Sequence, residues 1–159
     1  MPRPSRLFPI AALALAGCAG SVTDPVASLD VTLSVDRTTI SAPSAVQVTV
    51  QVTNRGSRPV KTAPAESYCP RAYTVEDETG QALVLTPRYC ALIGYGYVEL
   101  APGESLTIRD GWSGDVADPA GASRPVGPGR YRILARVVGE TGVRHSAPVT
   151  VTVIGASGG

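Results

Sequence analysis

Histidine and lysine occur once each, at His145 and Lys61, in a chain of 159 residues. The sequence also has no His-Glu-x-x-His pair, no glycine-rich phosphate loop and no cysteine or histidine cluster with zinc spacing, which removes the common metal and nucleotide chemistries. His145 stands beside Ser146, Ala147 and Pro148 where a last strand begins, and reads as a surface histidine rather than a triad base. Gly111-Trp112-Ser113-Gly114-Asp115 approaches a nucleophile elbow but lacks its final glycine, and a chain without helical periodicity has no strand-to-helix turn to hold one. Asp110, Asp115 and Asp118 miss the alternating spacing of a calcium loop and read as solvated loop acids. No catalytic residue, metal or cofactor is therefore expected. An excess of one charge is missing too: 14 basic residues stand against 13 acidic ones, which argues against a nucleic-acid partner. Nor is there a membrane span, because the apolar run from Leu7 to Ala16 contains Pro9 and falls well short of the roughly 20 residues a bilayer requires.

What that short run does form is a leader. Arg3 and Arg6 precede it, and Leu15-Ala16-Gly17-Cys18 closes it with small residues before a cysteine. This layout resembles that of bacterial lipoprotein signals, which implies removal of residues 1–17 and a diacylglyceryl thioether on Cys18. Two or three acyl chains, at about 0.8 kcal/mol per buried methylene, hold a protein on a bilayer almost permanently. Ala19, rather than Asp, implies the outer membrane in a cell with two membranes. Ordinary cleavage after Ala16 is the rival reading. Residues 18–27, small, polar and interrupted by Pro25, read as a flexible tether, 28–154 as one domain and 155–159 as a tail.

With Cys18 lipidated, Cys69 and Cys90 remain in an exported chain, and a disulfide between them is the natural inference. It would close a loop of about 22 residues, worth roughly 3 kcal/mol in the chain-entropy model.

After the tether, strict alternation sets in. Val46, Val48, Val50 and Val52 interleave with Gln47, Thr49, Gln51 and Thr53, and Leu29, Val31, Leu33 and Val35 behave alike. Further strands are expected over 73–76, 82–85, 95–100, 105–109, 130–138 and 149–154. Pro102-Gly103 and Pro128-Gly129 suit type II turns, and Asn54-Arg55-Gly56, Glu78-Thr79-Gly80 and Glu140-Thr141-Gly142 suit hairpins. Short strands at this density predict an all-β, antiparallel, immunoglobulin-like sandwich of about seven to nine strands. Tyr131, two residues before Ile133, sits as the tyrosine corner of such folds does. Cys69 and Cys90 both precede Trp112 and are too close together to be the inter-sheet bridge of antibody domains.

Thr53-Asn54, then Tyr73-Thr74-Val75-Glu76-Asp77 with Gly80, Leu100-Ala101-Pro102-Gly103-Glu104-Ser105, Trp112 and Pro128-Gly129-Arg130-Tyr131 together resemble the BsuPI-type intracellular proteinase inhibitors and their bacterial relatives. The likeness spans about Leu29 to Val138 and implies the sandwich fold and a loop presented to a protease. The leader and the two added cysteines depart from that family, and no inhibitory loop maps residue by residue.

Two regions are candidate recognition surfaces. One is the stretch from Trp112 to Val126, with Asp115 and Asp118, which is too long for a tight turn. The other holds Tyr68, Arg71, Arg88 and Tyr89 and leads to Tyr95 and Tyr97, residue types favoured at binding hot spots. Against this, Tyr95 and Tyr97 share a strand face that could pack in the core, and Trp112 could plug one end of the sandwich. Arg130, Arg132 and Arg136 are expected along one solvated strand face. The expected function is a non-catalytic envelope lipoprotein with a binding or scaffolding domain and a protein partner. The alternative is a proteinase inhibitor.

Overall fold

Alternating valines need a second apolar layer to cover them, and a computed structural model, which describes residues 25–41, 44–64, 71–86 and 97–155, supplies it. A single 3-10 turn, Pro25–Ser28, leads into strands β1 (Leu29–Val35), β2 (Thr39–Ser41), β3 (Val46–Asn54), β4 (Val60–Pro64), β5 (Tyr73–Glu76) and β6 (Val98–Leu100). There follow β7 (Ser105–Trp112), β8 (Asp115–Ala117), β9 (Ser123–Pro125), β10 (Gly129–Gly139), β11 (Gly142–His145) and β12 (Val149–Ile154). The protein is an all-β sandwich. One sheet is the antiparallel trio β1-β3-β7, and the other is built on the path β2-β12-β10-β4-β6, with β5 and β11 also on β10. The strand count exceeds the expected seven to nine because β2, β6, β8 and β9 are only three residues long.

Strand β10 organises the larger sheet. Its first half pairs with β12 and its second half with β11 on one side, while β5 and then β4 occupy the other. The corner from β11 into β12 is fixed by Ser146, whose buried hydroxyl accepts a hydrogen bond from the Ala135 amide (2.9 Å) and donates to the Ala147 carbonyl (2.8 Å). Between the sheets, Val46, Val48, Val50 and Val52 of β3 share one core with Ile133, Ala135 and Val137 of β10 and Val151 and Val153 of β12. Burial of each such side chain is worth roughly 1.5–3 kcal/mol before entropy.

Several local expectations change in three dimensions. Residues 54–59 do not close a hairpin; they carry the chain from β3 in one sheet to β4 in the other. Asn54, fully buried, holds that crossing: its side-chain amide donates to the carbonyls of Arg58 (2.7 Å) and Leu100 (2.9 Å), and its Oδ1 accepts from the Gly56 amide (2.9 Å) and the Ser28 hydroxyl (3.3 Å). Pro102-Gly103 forms the expected turn, Gly103 having φ 79° and the Glu104 amide donating to the Ala101 carbonyl. Gly129, by contrast, lies outside the positive-φ region and opens β10 opposite Val153. Residues 82–85 make only one bridge, Ala82 to Glu76, instead of a strand. The body also begins before residue 28, because Val26 is buried against Gly139.

Candidate functional site

The polypeptide around Trp112 turns sharply at the end of the sandwich where β3 begins, since Val46 pairs with Trp112. Gly114 takes φ 77°, which lets the chain reverse into β8, and its carbonyl accepts the Val126 amide (2.7 Å). Trp112 itself points inward. It is 1% exposed, its indole Nε1 donates to the Asp115 carbonyl (3.2 Å), and its ring meets Tyr131 edge-on at 5.5 Å and 67°. It is therefore corrected from a recognition residue to the plug at that end of the core: the largest side chain on this turn removes most apolar area by facing the interior. Tyr131 in turn donates its hydroxyl to the Gly127 carbonyl (2.8 Å), as a tyrosine corner does.

Asp118 is likewise corrected. The stretch 112–126 is the hairpin β8–β9 rather than an open loop, and Asp118 caps its turn: its Oδ1 accepts the amides of Ala120 and Ala122, and Gly121 takes φ 84°. The same device recurs at Asp77, whose Oδ1 accepts from the amide and hydroxyl of Thr79 and from the Gln81 amide, with Gly80 at φ 84°. Both segments read Asp-x-x-Gly, so the pattern was legible as a turn cap.

Arg71 and Asp115 remain, and the fold brings them to one cleft of about 270 Å³ lined also by Thr86, Gly111, Trp112, Ser113 and Ser123. Arg71 lies just before β5. Its Nη2 donates to the Thr86 carbonyl (2.9 Å), its Nη1 to the Tyr73 hydroxyl (3.3 Å), and the guanidinium carbon stands 6.0 Å from the Tyr73 ring centroid. The Tyr73 hydroxyl in turn donates a hydrogen bond to the Gly111 carbonyl (3.0 Å), linking Arg71 to another lining residue of the cleft. On the same cleft, Ser113 donates to Asp115 Oδ2 (2.8 Å). No ion pair joins Arg71 and Asp115 among the described residues. Ser113 and Ser123 fall within the expected 112–126 stretch without having been singled out, and Thr86 was not anticipated, because only the packing of the 83–86 segment beside β8, through the Ala117 amide on the Val84 carbonyl (2.7 Å), places it here.

Tyr97 lies outside this cleft, 53% exposed beside edge strand β6, not in the core. Cys18, Tyr68, Cys69, Arg88, Tyr89, Cys90 and Tyr95 lie outside the described residues, so the lipidation, the disulfide and four of the six residues of the tyrosine-arginine surface do as well. The three arginines do share the outer face of β10, where Arg130, Arg132, Glu78 and Thr150 line a shallow depression of about 280 Å³. Arg132 stands 3.7 Å from Glu76 there. His145 is exposed on β11 opposite Arg136, away from the cleft. Among the described residues no group of three or more His, Cys, Asp or Glu is placed to hold a metal, and no helix is long and apolar enough to cross a membrane.

A family model described as a family of unknown function (DUF7974) matches residues 25–154. No curated protein matches the sequence. Similar solved structures include a β-glucosidase from Erythrobacter marinus (18% identity, TM-score 0.46, covering 80% of this chain and 15% of that one). An alkylpurine DNA glycosylase from Pseudomonas fluorescens bound to abasic-site DNA is similar at 14% identity and TM-score 0.49, over 79% of this chain and 30% of that one. A CARDB domain from Pyrococcus furiosus with di-metal ions is similar at 19% identity and TM-score 0.44, over 79% and 87% of the respective chains. The chain thus spans less than a third of the length of the first two.

Proposed function

This chain belongs to the family of unknown function DUF7974, and we propose that it is a non-catalytic binding module of the bacterial cell envelope, held on the membrane by lipid at Cys18. The observation that carries this reading is the cleft, where Arg71 and Asp115 are each fixed by neighbours yet not spent on one another. Groups held in place before a ligand arrives lose little freedom on binding, which favours recognition.

Position supports the same conclusion. The chain enters the domain at the Asn54 end of β3, where the Arg55 amide donates to the Ser28 carbonyl, whereas Trp112 and the cleft stand at the Val46 end. The eight residue steps from Val46 to Asn54 separate them, roughly 27 Å at about 3.4 Å per step. An anchor at Cys18 would thus join the domain at the end remote from the cleft. The lining groups are a guanidinium, a carboxylate and hydroxyls, which suit hydrogen-bonded recognition, and His145 is not among them.

A photo-crosslinking side chain introduced at Ser123, on the rim, tests this on intact cells. One defined adduct that disappears when Ser113 is replaced by Trp is the expected result; labelling no stronger than from a probe at Thr107, on the outer face of the small sheet, would refute it. A second reading, the proteinase inhibitor, draws on the β8–β9 hairpin, whose capped turn presents Pro119, Ala120 and Gly121 to solvent. Adding the purified full-length chain to a panel of serine proteases separates the two: dose-dependent inhibition with the hairpin uncut favours the inhibitor.

A further inference from the structure

We propose that the Arg71–Asp115 cleft accepts a small zwitterion, a free amino acid or dipeptide, with its carboxylate on Arg71 and its ammonium on Asp115. The inference rests on the reading of this cleft as a binding site and adds the chemical class of what enters it. Opposite charges lining one cavity would ordinarily close on each other. Here each is restrained from doing so: two guanidinium donors are committed to the Thr86 carbonyl and the Tyr73 hydroxyl, and Asp115 Oδ2 is held by Ser113.

An arginine has five N–H donors in a planar fork, so three remain for a carboxylate, and the charge-assisted bonds they make are stronger than neutral ones. Asp115 keeps Oδ1 and further lone pairs for an ammonium, which offers three donors in turn. The hydroxyls of Thr86 and Ser123, 3.3 Å apart, complete a polar wall. A volume of about 270 Å³ corresponds to roughly nine waters at about 30 Å³ each, below the 300 Å³ or so at which drug-sized ligands begin. A purely anionic ligand would meet the Asp115 carboxylate, and a purely cationic one would meet Arg71. Only a ligand carrying both signs satisfies both walls.

Calorimetric titration of the full-length chain with each of the twenty amino acids and with Ala-Ala tests the proposal. At least one zwitterion is expected to bind, and its N-acetyl and amide forms, which each lose one charge, to bind at least about tenfold more weakly. Asp115→Asn keeps an acceptor for Ser113 and the shape of the side chain, so it should leave the melting temperature in place while weakening the zwitterion about tenfold. Arg71→Gln should weaken it further, and the folded state of that variant is checked by the same melt. Absence of heat with every probe, or equal binding of the blocked forms, overturns the proposal. If the Ser123 crosslinker still captures a partner in that case, the binding-site reading survives and only the ligand class is wrong.

Discussion

Asn54 is the residue on which the crossing between sheets depends. Buried amides are tolerated where every donor and acceptor is met, and here both N–H groups and the carbonyl oxygen are used. Asn54→Leu fills similar space but strands the Arg58 and Leu100 carbonyls and the Gly56 amide, and should cost about 3 kcal/mol, read as a lower urea midpoint with unchanged slope. Asp77 shows a different single-residue effect. Hydrogen bonds from the Thr79 hydroxyl, then from the Gln81 amide, hold its carboxyl below the ordinary value of 3.8. Asp36 is lowered likewise, first by the Gln47 amide and also by Arg37. A depressed carboxyl lends stability that is present above pH 3.8 and drains away as pH falls through the folded-state value. Asp77→Asn should therefore lower the melting temperature at neutral pH and converge with wild type in acid; a pH-independent difference would refute the assignment.

At the scale of elements, the 3-10 turn Pro25–Ser28 is docked rather than appended. Val26 is 2% exposed, and a Cβ on Gly139 would collide with its Cγ2 and approach the Lys61 carbonyl at 3.4 Å. Gly139→Ala should cost about 2 kcal/mol by overpacking. Combined with Val26→Ala, which removes the colliding methyl, the loss should fall short of additivity by about 1 kcal/mol in a double-mutant cycle. Strict additivity would mean that the turn does not rest on Gly139. The β8–β9 hairpin makes a related point: a segment rich in small residues and prolines gains order from an aspartate cap and from the Ala117 and Val126 amides, besides the burial of Val116.

For the molecule as a whole, the docking of residues 25–28 bears on the proposed anchor: six residues, 19–24, separate Cys18 from the body, a reach of at most roughly 20 Å. The intact mass of the envelope-extracted protein should show loss of residues 1–17 and a diacylglyceryl group on Cys18, and Cys18→Ser should release the chain into the soluble fraction. An unmodified mature chain that stays in the membrane fraction would refute the anchor.

Valine alternation, the tyrosine two residues before Ile133 and the Pro102-Gly103 turn determined by themselves that this chain forms layered strands, because side-chain period and backbone φ preference are local properties. β1, β5 and β12 have the ends that this alternation predicts. The tertiary structure alone decided which strand lies beside which, that Trp112 turns inward and that Arg71 and Asp115 share a cleft. Those outcomes rest on contacts between residues well separated in sequence, such as Trp112 with Tyr131 and Arg71 with Gly111 through Tyr73, and no local pattern encodes them. Burial of Trp112 removes more apolar surface than its exposure on a loop could return in contacts, and that balance is settled only when both sheets are present.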